Sequence, residues 1–153
     1  MTANPRTDSV QSLAGCTCAR LRKLTRRVSQ RYDQSLAPVG LRVTQYSLLS
    51  NLAQNEGVTI TSLARTLGMD RTTLVRNLKP LEQSGFIAQG AGPRGNERAV
   101  SLTAEGRAVL QRARPLWSRA EKEVRAALGA DTINHLHTLI DQSIARLKDQ
   151  EAQ

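Results

Sequence analysis

The sequence predicts a mainly α-helical fold carrying a small β wing, an α+β arrangement, and three observations predict it. Apolar residues recur at intervals of three and four through most of the chain. Two of these helical runs, Thr61 to Leu67 and Asp70 to Gly85, are joined by Gly68 and Met69 alone. Directly after Gly85 the period changes from 3.6 toward 2, on either side of a loop rich in Gly and Pro. Helix, short turn with Gly, helix and hairpin in that order make a winged helix-turn-helix lobe.

Size and charge bound what such a lobe serves. At 153 residues the chain is long enough for one domain with its own core, and near the size at which association adds useful buried surface. It has 22 Lys and Arg against 13 Asp and Glu, a net charge of +9, which points to a polyanionic partner. Residues 1–103 hold 14 basic and 6 acidic side chains and residues 104–153 hold 8 and 7, so the excess travels with the lobe. There is no apolar run of about 18 residues, and the start, MTANPRTDSVQSLAG, lacks the apolar core of a signal peptide. A cytoplasmic protein without a membrane span is expected. Two cysteines are too few for the disulfide framework of a secreted domain.

Taken in order, residues 1–15 are polar and aperiodic and read as a mobile arm. Residues 16–153 read as one unit, with 41–103 the DNA-binding lobe and 16–40 and 104–153 a helical dimerisation region. The first helix, Thr17 to Leu36, has Leu21, Leu24, Val28, Tyr32 and Leu36 as its apolar stripe and six cations, Arg20, Arg22, Lys23, Arg26, Arg27 and Arg31. Those cations either form a solvated face paired with acids such as Glu121 and Glu123, or steer phosphates. After Pro38 and Gly40 a second helix begins near Leu41, with Thr44 as its expected cap and Tyr46, Leu49 and either Leu52 or Ala53 facing inward. Val58 to Ile60, β-branched at every position, reads as a very short strand able to pair with the wing.

The helix from Asp70 to Gly85 has two faces. Leu74, Leu78 and Leu81 fall on one side, and Thr72, Arg76, Lys79 and Gln83 on the other, without an acid among them. Asp70 is its expected N-cap, Ser84-Gly85 its stop, and Pro80 an interruption that removes the bond to the Arg76 carbonyl. Phe86 to Ala88 and Ala99 to Leu102 are the expected wing strands, joined by Gly90 to Asn96. Thr103 caps a long helix from Ala104 to Leu128, in which Pro115 predicts a kink. Asp131 caps the last helix, to about Lys148, with Ile133, Leu136, Ile140, Ile144 and Leu147 as its stripe. The terminal helices carry apolar stripes that a small winged lobe cannot cover, so they are expected to pack together and against a second copy.

These residues imply chemistry at a nucleic acid. Arg76 suits a guanine, and Thr72 and Thr73 a phosphate or a thymine methyl. Arg71, Asn77 and Lys79 complete the candidate set on that helix, with Arg94 and Arg98 on the wing. Cys16 and Cys18 point about 200° apart on a helix and cannot share a metal or a disulfide there. They are either incidental or, beside Arg20, Arg22 and a helix N-terminus that favour thiolate, a thiol sensor. His135 and His137 also face different ways and read as ordinary surface or interface residues. No cofactor or metal site is expected.

From about Cys16 to Lys148 the sequence resembles the MarR family of bacterial transcriptional regulators. The resemblance is carried by Leu41, Thr44, Gln45, Leu48, Leu49 and Leu52, by Leu63 to Arg76, by Leu81 to Ile87, and by Val100 to Gly106. It implies a homodimer formed by the N- and C-terminal helices, binding to a pseudo-palindromic operator in double-stranded DNA, and release by a small aromatic or thiol-reactive effector. It also implies that Tyr32, Tyr46 and Trp117, otherwise plain core residues, line an effector cleft between the first, second and fifth helices. Where the family's wing has an Asp two residues before an Arg, this chain has Asn96-Glu97-Arg98. The function expected is that of a regulator, a repressor in the first instance. A nucleoid-associated protein coating DNA without sequence preference is the second class that the charge admits. An enzyme lacks support, because no nucleophile stands with a base and an orienting group, and no phosphate loop is present.

Overall fold

A computed structural model of the chain describes residues 15–92 and 97–151, with side chains to residue 148. Apart from Gly15, the expected N-terminal arm lies outside the described residues, and so do Arg94 and Asn96 of the wing. The elements run α1 (Thr17–Leu36), a 3-10 turn (Ala37–Val39), α2 (Val43–Gln54), β1 (Val58–Thr59), α3 (Ile60–Leu67), α4 (Arg71–Gln83), β2 (Ile87–Ala91), β3 (Arg98–Leu102), α5 (Ala104–Leu128) and α6 (Ala130–Glu151).

The three strands form one antiparallel sheet in the order β1-β3-β2. Val58 pairs with Val100, so the predicted short strand does join the wing, while Ile87 pairs with Leu102 and Ala91 with Arg98. Ile87, Val100 and Leu102 are buried and Ala88 and Ser101 exposed, the period of two that one covered face demands. The hairpin is longer than the sequence suggested. β2 continues through Gly90 to Ala91, and the Gly92 N–H still reaches the Glu97 carbonyl at 2.6 Å.

One apolar cluster joins α2, α3, α4, the sheet and the first half of α5. Leu74, Leu78 and Leu81 are each 0% exposed in it, and burial of a leucine contributes about 1.5–3 kcal/mol. A second, smaller cluster, Tyr32, Ala120, Val124 and Ile133, sits between α1, α5 and α6. Val43 and Trp117 pack against both clusters. Beyond Leu136, which is half-buried, the α6 stripe is open: Ile140, Ile144 and Leu147 are 37%, 47% and 62% exposed.

Three local expectations are corrected. Thr44 does not cap α2: Arg42 holds that position, its N–H donates to Gln45 Oε1 at 2.9 Å, and the Val43 N–H donates to Asp33 Oδ1 of α1 at 2.7 Å. A carboxylate from the preceding helix thereby serves one of the N–H groups that a first turn leaves without an intrahelical partner. Asp131 lies in the first turn of α6 instead of capping it, because Gly129 gives the chain its turn at φ 84° and its carbonyl accepts the Ile133 N–H at 3.1 Å. Glu121 and Glu123 do not take up the arginines of α1. Spacing of four residues brings Arg125 to Glu121 at 2.7 Å and Arg119 to Glu123 at 3.8 Å along α5 itself. α4 and α5 run on through Pro80 and Pro115.

Candidate nucleic-acid interface

The geometry of α4 begins at its cap. The Thr73 N–H donates to Asp70 Oδ1 at 2.8 Å and the Thr73 hydroxyl to Asp70 Oδ2 at 2.6 Å. These bonds, the hydroxyl first, hold the Asp70 carboxyl below its ordinary 3.8. A carboxyl depressed by folding stabilises the fold above its unfolded value, and that stability is lost as pH falls through the lower, folded value. Asp70→Asn keeps a cap oxygen but does not titrate. Denaturant midpoints taken at about pH 5 and about pH 3 should therefore fall further for the wild type than for the variant, and equal losses would show that Asp70 carries no such linkage.

The same bonds sort the candidate residues. Thr73 is half-buried with its hydroxyl committed to Asp70, and Asn77 is half-buried with its amide 3.9 Å from Met69 Sδ. Arg71, Thr72, Arg76 and Lys79 are exposed. The structure thus gathers four of the six α4 candidates on the outward surface and turns two back toward the helix-turn-helix. It adds one that the sequence reading left out, Val75, which is exposed beside them. Its apolar character had hidden it, although its helical angle falls outside the Leu74, Leu78, Leu81 stripe.

Two anchors fix where α4 ends and the wing begins. The Phe86 N–H closes the last turn onto the Leu81 carbonyl at 2.9 Å, with Gly85 at φ 72° making the turn. Thr103 then ties the wing's root: its hydroxyl donates to the Gly85 carbonyl at 2.6 Å and accepts from the Gly106 N–H at 3.0 Å. Farther out, the Gln89 amide donates to Glu82 Oε2 at 3.0 Å and links β2 to α4. Arg98 is exposed at the start of β3, opposite Ala91.

The candidate sensor residues lie elsewhere. Cys16 is half-buried just before α1, Cys18 is exposed in its first turn, and both are free thiols. Tyr32, Tyr46 and Trp117 come together: Trp117 stacks on Tyr46 with centroids 5.6 Å apart and lies 6.3 Å from Tyr32. Tyr32 also donates its hydroxyl to Glu121, at the wall of a cleft of about 240 Å³ between α1, α5 and α6. Burial, and after it that hydrogen bond, push the Tyr32 phenol above its ordinary value. The bond from Tyr32 is also the main reason the Glu121 carboxyl lies below its own. His135 and His137 are exposed on α6. Among the described residues no helix is long and apolar enough to cross a membrane.

Comparison with known proteins gives one consistent picture. Residues 41–94 match the family model of the MarR family. The HTH-type transcriptional repressor Rv2887 of Mycobacterium tuberculosis is 32% identical over 97 residues, 63% of this chain and 70% of the relative. The M. tuberculosis transcriptional regulator MosR in complex with DNA superposes with a TM-score of 0.74 at 36% identity, over 85% of this chain and 97% of that one. The transcriptional repressor CouR bound to a 23-mer DNA duplex gives 0.75 at 30% identity, over 86% and 94%. The same repressor bound to p-coumaroyl-CoA gives 0.76 at 32% identity, over 88% and 94%.

Proposed function

This chain belongs to the MarR family of winged helix-turn-helix DNA-binding regulators, and from that premise we propose that it is a transcriptional repressor. It binds a pseudo-palindromic operator as a homodimer and is released by a small-molecule effector. The observation that carries the reading is the outward surface of α4, where Arg71, Thr72, Arg76 and Lys79 stand exposed on a helix whose other face is fully buried. A helix so fixed enters the major groove, with Arg76 able to pair with a guanine edge and Arg71 and Lys79 with phosphates. Two copies related by a twofold axis place their α4 helices in successive grooves about 34 Å apart. Arg98 and Arg94 serve the flanking backbone or minor groove.

Release follows from geometry, since an effector that binds one spacing of the two lobes more tightly lowers operator affinity by that difference. The CouR complex with p-coumaroyl-CoA supports an aromatic small molecule as the effector class. Tyr32, Tyr46 and Trp117 are the residues that would feel it. Thiol modification at Cys16 or Cys18 is a second route to the same release.

The test is binding to the DNA upstream of the chain's own gene against random duplex of equal length, over a salt series. A repressor prefers its operator by about 10³-fold or more, whereas equal binding to both duplexes would favour the coating protein. Arg76→Ala should cost roughly 1–3 kcal/mol per contact and flatten preference at one position in each half-site. An unchanged operator profile would remove Arg76 from the reading set. Omitting thiol reductant, with the Cys16→Ser/Cys18→Ser variant alongside, tests the thiol route in the same titration.

A further inference from the structure

Among the apolar side chains of α4, Leu74, Leu78 and Leu81 are 0% exposed and Val75 is 42% exposed. At about 100° per residue, Arg71, Val75 and Lys79 form a single i, i+4 row, alongside the row of Thr72 and Arg76. The isopropyl group therefore lies between two cations and next to a hydroxyl and a guanidinium, on the side of α4 that the operator reading turns to DNA. Folding alone does not call for a valine there: 42% of it stays exposed, and a β-branched residue is a poorer helix former than Ala, Lys or Glu at an exposed position.

In the major groove the base edges present donors, acceptors and one apolar group, the C5-methyl of thymine. Charged groups gain nothing from that methyl and a threonine offers it one methyl group, whereas an isopropyl group covers it more fully and removes both from water. With Arg71 and Lys79 on phosphates, the middle of the row faces base edges. We infer that Val75 is a specificity-determining residue that reads one thymine in each half-site through its methyl group. The inference rests on α4 being the recognition helix of an operator-binding dimer.

The experiment uses the full-length protein and does not require the operator in advance. Wild type is first used to enrich a site from a pool of random duplexes. Each thymine of that site is then replaced singly by deoxyuridine, which deletes the C5-methyl and leaves base pairing intact. Wild type should lose about four-fold in affinity when the methyl under Val75 is removed from one half-site, and about fifteen-fold when it is removed from both. Val75→Ala should bind the thymine site more weakly by a similar factor and not distinguish thymine from deoxyuridine there. Its dependence on salt should equal that of the wild type, because no phosphate contact has been lost.

Indifference of the wild type to deoxyuridine at every position would overturn the inference. So would a Val75→Ala protein that keeps the wild-type discrimination, since the methyl is then read by another residue. Failure of the wild type to enrich any sequence would overturn the operator reading itself, and the Val75 assignment with it. Thermal melting of Val75→Ala, expected to match the wild type, confirms that the comparison is between folded proteins.

Discussion

Gly106→Ala is expected to loosen the whole winged lobe, through a single added methyl group. A Cβ at this position would lie inside contact distance of the Phe86 carbonyl oxygen and 2.9 Å from its carbon, both backbone atoms that no rotamer change can move. The Phe86 carbonyl accepts the Thr103 N–H at 3.1 Å, and the Gly106 N–H donates to the Thr103 hydroxyl. The added methyl therefore pushes apart the first turn of α5 and the start of the wing. Both bonds are strained together, and overpacking of this kind costs roughly 3 kcal/mol at the upper end of its usual range. A drop in the denaturant midpoint of that size, with weaker DNA binding because the wing root moves, is the expected result. An unchanged midpoint would mean that α5 can shift away from β2 at no cost.

The second large effect is expected from α6. Ile140, Ile144 and Leu147 continue the stripe that Ile133 begins, but only Ile133 is buried within the chain, and Leu21 of α1 is also half exposed at 49%. Covering such side chains is worth roughly 1 kcal/mol or more each, which a second copy of the chain would supply. Ile140→Asp/Ile144→Asp leaves Ile133 and both clusters intact and places carboxylates in the middle of that surface. Sedimentation should then find a monomer with undiminished helix content. Operator affinity should fall by about 10²-fold or more, because two linked half-site contacts become two independent ones. A variant that remains dimeric would exclude this stripe as the interface. One that is monomeric yet binds as tightly as the wild type would refute the twofold arrangement.

How far the sequence could be read depended on whether a feature was local. The Asp70 cap, the buried Leu74, Leu78 and Leu81 stripe and the glycine stop at Gly85 all depend on residues within a turn or two, and each is where the spacing predicts it. The start of α2 was not legible, because the helix begins one residue before Thr44, at Val43, whose N–H is taken by Asp33 of α1, a contact that only folding creates. Asp131 failed for the complementary reason, as Gly129 had already made the turn. At the candidate interface, Thr73 stands three residues after an Asp cap, a spacing that allows its hydroxyl to turn back, so this commitment could have been found. The exposure of Val75 was legible in its helical angle, outside the leucine stripe, whereas the inward turn of Asn77 toward Met69 depends on how the turn after α3 seats against α4, which periodicity does not encode. Gly106 gave no signal in the sequence, since a glycine early in a helix looks like a small propensity cost until the carbonyl above it is known.

The aromatic cluster has an optical consequence. Trp117 is the only tryptophan of the chain, and it touches both apolar clusters, stacked on Tyr46 of α2 and near Tyr32 of α1. Its indole emission therefore originates at the joint between the winged lobe and the terminal helices, and both tyrosines lie close enough to pass it their excitation energy. A rotation of one part against the other would change that stacking, and with it the surroundings of the indole. The unmodified protein thus carries its own fluorescent gauge of lobe position, readable in a cuvette as DNA or small molecules are added.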